Sequence, residues 1–385
     1  MNISGIHNCY GCGVCAIACT KNIIDIVLNE DGFYEPHITD ASQCTNCSLC
    51  LHVCSYSYEK LSQSKSYINC YAAWSKDTTI QKKCSSGGIS FEIGRHLIQI
   101  GYKACVVKYD AEQNKAIHYI ATTEEELIPS IGSKYIQSHT VNGFKSINKK
   151  EKYLVTGTPC QIDSFRRYIQ KFHCEENFIL LDFFCHGVPS YFLWEKYIQW
   201  AETKVGKITH VSWRNKPTGW HDSWSMEIKG KKEFYSKWSQ GDMFYNLFLA
   251  DCCLGKACYD SCKFKYDQSS ADIRIGDLWG KTYQNNEDGV SAIIVFTKKG
   301  NEILHSLNCE FIKHTFNIIG EGQMKTAAHK TSAYPIIMKM LRDESTSIAD
   351  CDIALKKYNK RQRNIKRMRH LFLTLKEITT RIQKR

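Results

Sequence analysis

At 385 residues, with 43% apolar and 12% aromatic side chains, the chain is a globular protein of two or three domains, too long for one hydrophobic core and too apolar for disorder. Its net charge of +12 is unevenly placed: residues 355–385 hold twelve Lys or Arg against one acidic residue, so the rest is near neutral and charge gives no support to nucleic-acid binding. No run approaches the roughly 18 apolar residues of a spanning helix, nothing before Cys9 resembles a signal peptide, and twenty cysteines therefore read as metal ligands in a reducing, cytoplasmic compartment.

The first 62 residues repeat one spacing, Cys9-x2-Cys12-x2-Cys15-x3-Cys19 and Cys44-x2-Cys47-x2-Cys50-x3-Cys54. Three closely spaced thiolates grip one cubane cluster, and the fourth reaches across to the other in two-cluster ferredoxins. The spacing predicts one [4Fe-4S] cluster on Cys9, Cys12, Cys15 and Cys54, and a second on Cys44, Cys47, Cys50 and Cys19. Zinc would want cysteine pairs around four-ligand sites, and a disulfide framework needs an oxidising compartment. The proline that usually follows the fourth cysteine is replaced by Thr20 and Ser55, which removes a turn-former but no ligand. Between the runs, 23–28 and 33–38 flank Asn29-Glu30-Asp31-Gly32, an Asp-Gly hairpin signal. So small a module buries little core, and its clusters are expected to help hold it folded. The polar run 62–66 reads as a linker.

Next, Cys84-Ser85-Ser86-Gly87-Gly88 precedes Ile89, Ile93, Leu97 and Ile98 at helical spacing. Free N–H groups at such a helix start can hold a phosphate; an ordinary Ser N-cap is the plainer alternative. Strands are expected at 104–109 and 116–121, then a helix near 124–131 and Gly132-Ser133-Lys134-Tyr135-Ile136-Gln137-Ser138. From Lys152, strand and helix alternate. A strand at 153–156 leads to a tight loop, Gly157-Thr158-Pro159-Cys160-Gln161, and a helix at 162–172. A strand at 178–184 ends in Cys185-His186-Gly187-Val188-Pro189, and Ser190 caps a helix to about 205. Cys160 and Cys185 thus both stand where a strand hands over to a helix, the usual place for ligands in α/β sheets, and strands in register would set them side by side. Strands at 210–214, 223–229 and 233–236 follow, then Cys252, Cys253, Cys258 and Cys262 just before Ala271-Asp272-Ile273-Arg274-Ile275-Gly276-Asp277-Leu278-Trp279-Gly280. A strand at 293–296, a helix near 301–307 and a strand at 311–316 complete the folded body.

Cys84-Ser-Ser-Gly-Gly, Lys134-Tyr-Ile-Gln-Ser, Gly157-Thr-Pro-Cys-Gln, Cys185-His-Gly-Val-Pro-Ser, Cys258-Tyr-x-x-Cys-Lys and Ala271-Asp-Ile-x-Ile-Gly-Asp-Leu-Trp-Gly occur in the order of one family. From about Cys9 to Phe316 the chain resembles the coenzyme F420 hydrogenase/dehydrogenase beta subunit family, in the variant with an N-terminal two-cluster ferredoxin domain. The resemblance implies an α+β, α/β fold: a bacterial-type dicluster ferredoxin module (1–62) followed by an α/β flavin- and iron–sulfur-binding body. That body comprises a beta-subunit N-terminal-like region (63–150) and a C-terminal-like domain (151–330), and a basic helical tail (331–385) follows. Members bind FAD and a further [4Fe-4S] cluster; some reduce a deazaflavin, coenzyme F420, others act on pigments with ferredoxin, and many lie in surface-polysaccharide gene clusters. Cys160, Cys185, Cys258 and Cys262 match the third-cluster positions, although the family usually spaces the last pair by two residues and this chain by three. Either a bulge absorbs the extra residue, or Cys252 or Cys253 replaces one ligand. Cys70, Cys105, Cys174, Cys309 and Cys351 are left as free thiols.

By the same resemblance Ser86, Gly87 and Gly88 approach the FAD pyrophosphate, Lys134, Gln137 and Ser138 flank the cofactor, and Thr158 lies near the isoalloxazine. Arg214 and Lys216 offer cations to an anionic cofactor or substrate. His186 is the catalytic candidate as a proton shuttle, or else a hydrogen-bond donor to cluster sulfur. Trp213, Trp220, Trp224, Trp238 and Trp279 offer stacking surfaces or ordinary core. Together these expectations describe an oxidoreductase that takes single electrons from a ferredoxin or partner subunit, collects them on FAD and delivers a hydride equivalent to an unidentified small molecule, or runs in reverse. The rivals are an electron-transfer adaptor without its own substrate and a scaffold in surface-polysaccharide biosynthesis. In the tail, Ile365, Met368, Phe372, Leu375, Ile378 and Ile382 recur at three- or four-residue steps among Lys and Arg. That pattern is a basic amphipathic helix, suited to an anionic membrane surface or to docking on the body.

Overall fold

A computed structural model describes residues 1–63, 66–259 and 262–383, with the side chains of the last helix described as far as His370. In the N-terminal module, β1 (Ile24–Leu28) and β2 (Tyr34–Ile38) pair antiparallel, with Leu28 opposite Tyr34. The expected turn joins them: Asn29 Oδ1 accepts from the N–H groups of Asp31 and Phe33, and Gly32 adopts φ +75°.

In chain order the body continues with β3 (Asn69–Ser75), β4 (Lys103–Asp110), β5 (Lys115–Ala121), β6 (Ser138–His139), β7 (Tyr153–Thr156) and β8 (Phe178–Phe183). It then runs through β9 (His210–Arg214), β10 (Trp224–Lys229), β11 (Glu233–Lys237), β12 (Ile273–Asp277), β13 (Ser291–Val295) and β14 (Cys309–Lys313). Strands β9 to β11 form a small antiparallel sheet; the other nine form one mixed sheet in the order β14-β3-β13-β12-β8-β7-β4-β5-β6. At its centre β12, β8, β7 and β4 are parallel. Alternate residues of these strands face opposite helices, as the two-residue period requires. Leu154 and Ile179 pack with the helix Ile89–Gln99, whereas Val155 and Leu180 pack with the helix Pro159–Lys171.

Strand β3 lies between β13 and β14, so regions 63–150 and 151–330 share one sheet. Two sequence expectations change here. The helix expected from 162 begins at Pro159, because Thr158 and Gln161 form a capping box with Pro159 in the first turn; Cys160 is therefore helical, not part of a loop. The run at 62–66 is pinned where it is described: the Ser62 N–H donates to the Asp163 carboxylate at 2.6 Å and the Gln63 N–H to Ser270 Oγ at 3.4 Å. Residues 64 and 65 of that run lie outside the described residues.

The module's hairpin turn plugs into the body. Ser190 Oγ, at the start of the helix Tyr191–Val205, donates to the Asp31 carbonyl at 2.6 Å, and the Tyr191 N–H donates to the Gly32 carbonyl at 2.8 Å. The Asp31 carboxylate meets Arg342 at 2.8 Å and Lys256 at 3.2 Å. The last helix, Ile348–Gln383, buries Ile348, Cys351 and Leu355 against the body. From Asn359 to His370 it is exposed except for half-buried Ile365. Among the described residues no helix is long and apolar enough to cross a membrane.

Candidate iron–sulfur and cofactor site

The two cysteine runs fold alike. Gly11 and Gly13 adopt φ +61° and +74°, and their counterparts Asn46 and Ser48 adopt +54° and +59°. Gly13 and Ser48 then start the short helices Val14–Ala18 and Leu49–His52. Cys19 and Cys54 leave them in the same extended conformation, φ/ψ −77°/107° and −81°/108°. This geometry brings the fourth cysteine of the second run to the first three of the other. Burial pushes the Cys9, Cys12 and Cys15 thiols up, Cys12 to about 11, and their mutual charges and that of Cys54 push in the same direction. Around Cys50, also raised by burial, the neighbouring thiols are Cys47 and Cys19. Half-buried Cys44 goes the other way: Asn2 Nδ2 donates to its sulfur at 3.3 Å and lowers its pKa.

Burial separates the quartets. In the first quartet Cys12, Cys15 and Cys54 are buried and Cys9 is half-buried, whereas in the second Cys50 is buried, Cys19 and Cys44 are half-buried and Cys47 is exposed. The inner loop fits the body with no room for a side chain. A Cβ on Gly11 would lie 2.3 Å from Gln137 Nε2, and one on Gly13 would lie 2.1 Å from Thr140 Oγ1. Gln137 is thus a joint: its Nε2 donates to the Tyr10 carbonyl at 3.1 Å and its Oε1 accepts from the Tyr34 N–H at 3.0 Å. Expected beside a flavin, Gln137 instead ties the module to the body.

A further cysteine quartet lies on the other side of this joint. Parallel β7 and β8 run in register, Thr156 opposite Leu181, which sets the segments leading to Cys160 and Cys185 side by side. The short helix Lys256–Tyr259 brings Cys258, and Cys262 follows. All four line a cavity of about 30 Å³ with Tyr10, Phe264 and Lys265. Burial raises the Cys160, Cys185 and Cys258 thiols, Cys258 to about 12, and the charges of neighbouring thiols add to the rise. Cys252 and Cys253 are elsewhere, fully buried in the core with their thiols donating to the Leu247 carbonyl. Cys252 and Cys253 thus stand apart from this quartet; residues 260 and 261, between Cys258 and Cys262, lie outside the described residues. The inner N-terminal quartet is adjacent: Cys12 Sγ donates to Ser164 Oγ at 3.2 Å, one helical turn beyond Cys160, and the Cys12 and Cys160 thiols influence each other.

A cavity of about 450 Å³ opens beyond Cys185. Ser86, Gly88, Lys134, Ser138, Thr158 and His186 stand on its wall. Gly88, at φ +87°, is the N-cap of the helix Ile89–Gln99 and has no side-chain cap, so the expected Ser cap is absent and the free N–H end opens on the cavity. Gly87 lies behind the wall, its N–H donating to Ser291 Oγ, and a Cβ there would lie 2.3 Å from the Ala73 carbonyl. The cations are engaged by the protein itself. Lys134 Nζ donates to the carbonyls of Pro129, Ser130, Ile131 and Gly132, with burial lowering its pKa to about 7. Lys216 Nζ donates to the carbonyls of Gln81, Ser86 and Asp288, off the wall, with its pKa lowered by burial to about 8. Buried Arg214 pairs with Asp277 at 3.0 Å and lies between the rings of Trp224 and Trp279, 5.0 and 5.2 Å from their centres. Arg214 and Lys216 therefore brace the site from behind. Trp224 and Trp279 line the cavity, Trp213 and Trp220 are core, and Trp238 is exposed. His186 Nε2 lies 2.8 Å from Asp251 Oδ1. Asp251, Asp277 and Lys265 were missed as site residues; only Asp277 belonged to a recognisable motif. An uncapped helix start, an aromatic wall and this volume fit the pyrophosphate and ring of a dinucleotide cofactor.

Repeated cysteine loops packed on a mixed α/β body define an iron–sulfur protein of the oxidoreductase class. Residues 8–58 match the 4Fe-4S dicluster domain. Residues 70–145 and 150–314 match the N-terminal and C-terminal parts of the coenzyme F420 hydrogenase/dehydrogenase beta subunit. The chain belongs to that beta-subunit family and carries the dicluster domain at its N-terminal side. It is 26% identical to the coenzyme F420 hydrogenase subunit beta of Methanococcus voltae over 265 residues, 66% of this chain and 85% of that protein. It is 23% identical over 323 residues to the coenzyme F420-dependent sulfite reductase of Methanocaldococcus jannaschii, covering 78% of this chain but only 46% of that protein. A chain of the F420-reducing [NiFe] hydrogenase complex from Methanosarcina barkeri aligns over 80% of this chain and 96% of its own length, at 17% identity and a TM-score of 0.46.

Proposed function

We propose that the chain is an iron–sulfur flavoprotein oxidoreductase that passes electrons between a ferredoxin-type donor or partner subunit and an unidentified small molecule in the reducing cytoplasm. One observation carries this reading: the Cys160, Cys185, Cys258 and Cys262 quartet lies between the inner N-terminal quartet and the large cavity. Bound there, [4Fe-4S] clusters supply one-electron transfer and FAD supplies two-electron hydride chemistry. The chain's own residues do the rest. The free N–H groups after Gly88 would receive a pyrophosphate, Trp224 and Trp279 offer ring faces, and the Asp251 carboxylate stands 2.8 Å from His186 Nε2 on the cavity wall. Coenzyme F420 as the acceptor is the finer proposal, supported by the names of both relatives. Anaerobically purified protein is expected to release flavin on denaturation and to reduce F420 or a viologen dye. Intact clusters without flavin and without acceptor reduction would favour the adaptor.

The tail supports a surface contact as well. We propose that 355–385 lies on an anionic membrane. Lys356, Lys357, Lys360, Arg361, Arg363, Lys366, Arg367 and Arg369 are exposed, and Met368 is 71% exposed. Among the described residues the body therefore does not cover this stretch. Ile365 and Met368 begin an apolar series that the sequence continues at Phe372, Leu375, Ile378 and Ile382, whose side chains lie outside the described residues. Intact protein is expected to sediment with phosphatidylglycerol vesicles and not with phosphatidylcholine vesicles; equal binding by a chain ending at Tyr358 would remove the idea.

A further inference from the structure

The segment Cys262-Lys263-Phe264-Lys265 runs between the inner N-terminal quartet and the third quartet. Its two lysines serve different neighbours. Lys263 Nζ donates to the Ser55 carbonyl at 2.8 Å and to the Tyr58 carbonyl, tying the end of the N-terminal module to the body. Lys265 Nζ donates to the Cys185 carbonyl at 2.6 Å and to the His186 carbonyl at 3.0 Å. Lys265 is 6% exposed and lines both the small thiol cavity and the large cavity.

The electrostatics of this ammonium are unusual. Among the described residues no carboxylate lies within 4.0 Å of it, and apart from the thiols it is the one charged group on the small cavity's wall. A buried cation held by carbonyls alone is costly, because dipoles replace only part of its hydration. Among the described residues the counter-charge this cavity can offer is sulfur. Cys160, Cys185, Cys258 and Cys262 line the same small cavity as Lys265, whose Nζ stands 2.6 Å from the Cys185 carbonyl.

We propose that Lys265 is a positioning charge for electron transfer: its ammonium stabilises the reduced state of a [4Fe-4S] cluster on Cys160, Cys185, Cys258 and Cys262, and so biases electrons toward the large cavity. This rests on the reading that the third quartet holds such a cluster. With clusters held by both quartets, an electron passing between them would leave the one on Cys9, Cys12, Cys15 and Cys54 oxidised and the one on Cys160, Cys185, Cys258 and Cys262 reduced. No bond forms or breaks and no proton moves, so the third site gains one negative charge. A fixed positive charge beside it in a low-dielectric interior lowers the energy of that more negative state. A ferredoxin-type donor restores the electron.

The test is a redox titration followed by electron paramagnetic resonance on full-length protein, anaerobically purified, as wild type, Lys265→Met and Lys265→Arg. The expected result is a more negative midpoint for the third cluster in K265M, a nearly unchanged midpoint in K265R, and unshifted N-terminal clusters in both. Loss of the third cluster in K265M with retention in K265R also supports the charge, since uncompensated thiolates would then be unable to hold it. An unchanged midpoint in K265M, or equal shifts in both variants, overturns the role of Lys265 and leaves the third cluster standing. A wild type with only the two N-terminal signals and about eight iron atoms overturns the reading beneath it.

Discussion

The two cysteine loops of the N-terminal module have one backbone and two surroundings. Both place two residues in the left-handed region, start a short helix and send their last cysteine out extended. The inner loop uses Gly11 and Gly13 there, and the outer loop uses Asn46 and Ser48. Conformation alone does not demand glycine, since Asn and Ser adopt the same φ. Contact does: Gln137 and Thr140 occupy the space a Cβ would fill in the inner loop. The spacing of cysteines thus sets the ligand geometry, and the glycines mark which copy packs on the body. Cys47 of the outer loop is exposed, whereas Cys12 of the inner loop lies toward the third quartet.

The sharpest way to break this contrast is Gly13→Ala against Ser48→Ala. Left-handed strain and overpacking against Thr140 should cost G13A about 2–5 kcal/mol in denaturant unfolding, while S48A should stay within about 0.5 kcal/mol of wild type. Equal losses would mean that the glycines serve the loop and not the joint. A second contrast is chemical. In metal-free protein, alkylation proceeds through the thiolate. Cys44, with its pKa below the ordinary thiol value of 9.0, should react at lower pH than Cys12, which is raised to about 11 and should gain reactivity only toward strongly alkaline pH. Peptide mapping of the labelled protein across pH would show the reverse order if the burial contrast were wrong. The smallest effect belongs to the hairpin clamp. Arg342 and Lys256 are 43% and 42% exposed, so Asp31→Asn should lower stability by only about 1 kcal/mol, and high salt should shrink the difference. A loss several times larger would make the hairpin, rather than the glycine loop, the main anchor.

What the sequence made legible was chemistry carried by spacing. The exchange of Cys19 and Cys54 between runs follows from a repeat, and the pairing of Cys160 with Cys185 follows from two strand-to-helix handovers in register. Direction was not legible. Arg214, Lys216 and Gln137 have the donors a cofactor needs, but only the fold shows those donors turned to Asp277, to backbone carbonyls and to the Tyr10–Tyr34 joint. The shared sheet was hidden because β3 inserts between strands more than 200 residues away in sequence. Asp251 and Lys265 were hidden for a simpler reason: each acts as a single residue outside any repeating pattern.

The central claim is that four cysteines beyond the N-terminal pair complete the path to the large cavity. Iron and acid-labile sulfide per chain, measured after anaerobic purification of wild type and Cys160→Ser, test it most directly. Three cubane clusters predict about twelve iron atoms in the wild type, falling to about eight in the variant. About eight in both would contradict the claim and leave the N-terminal module as the whole of the iron–sulfur chemistry.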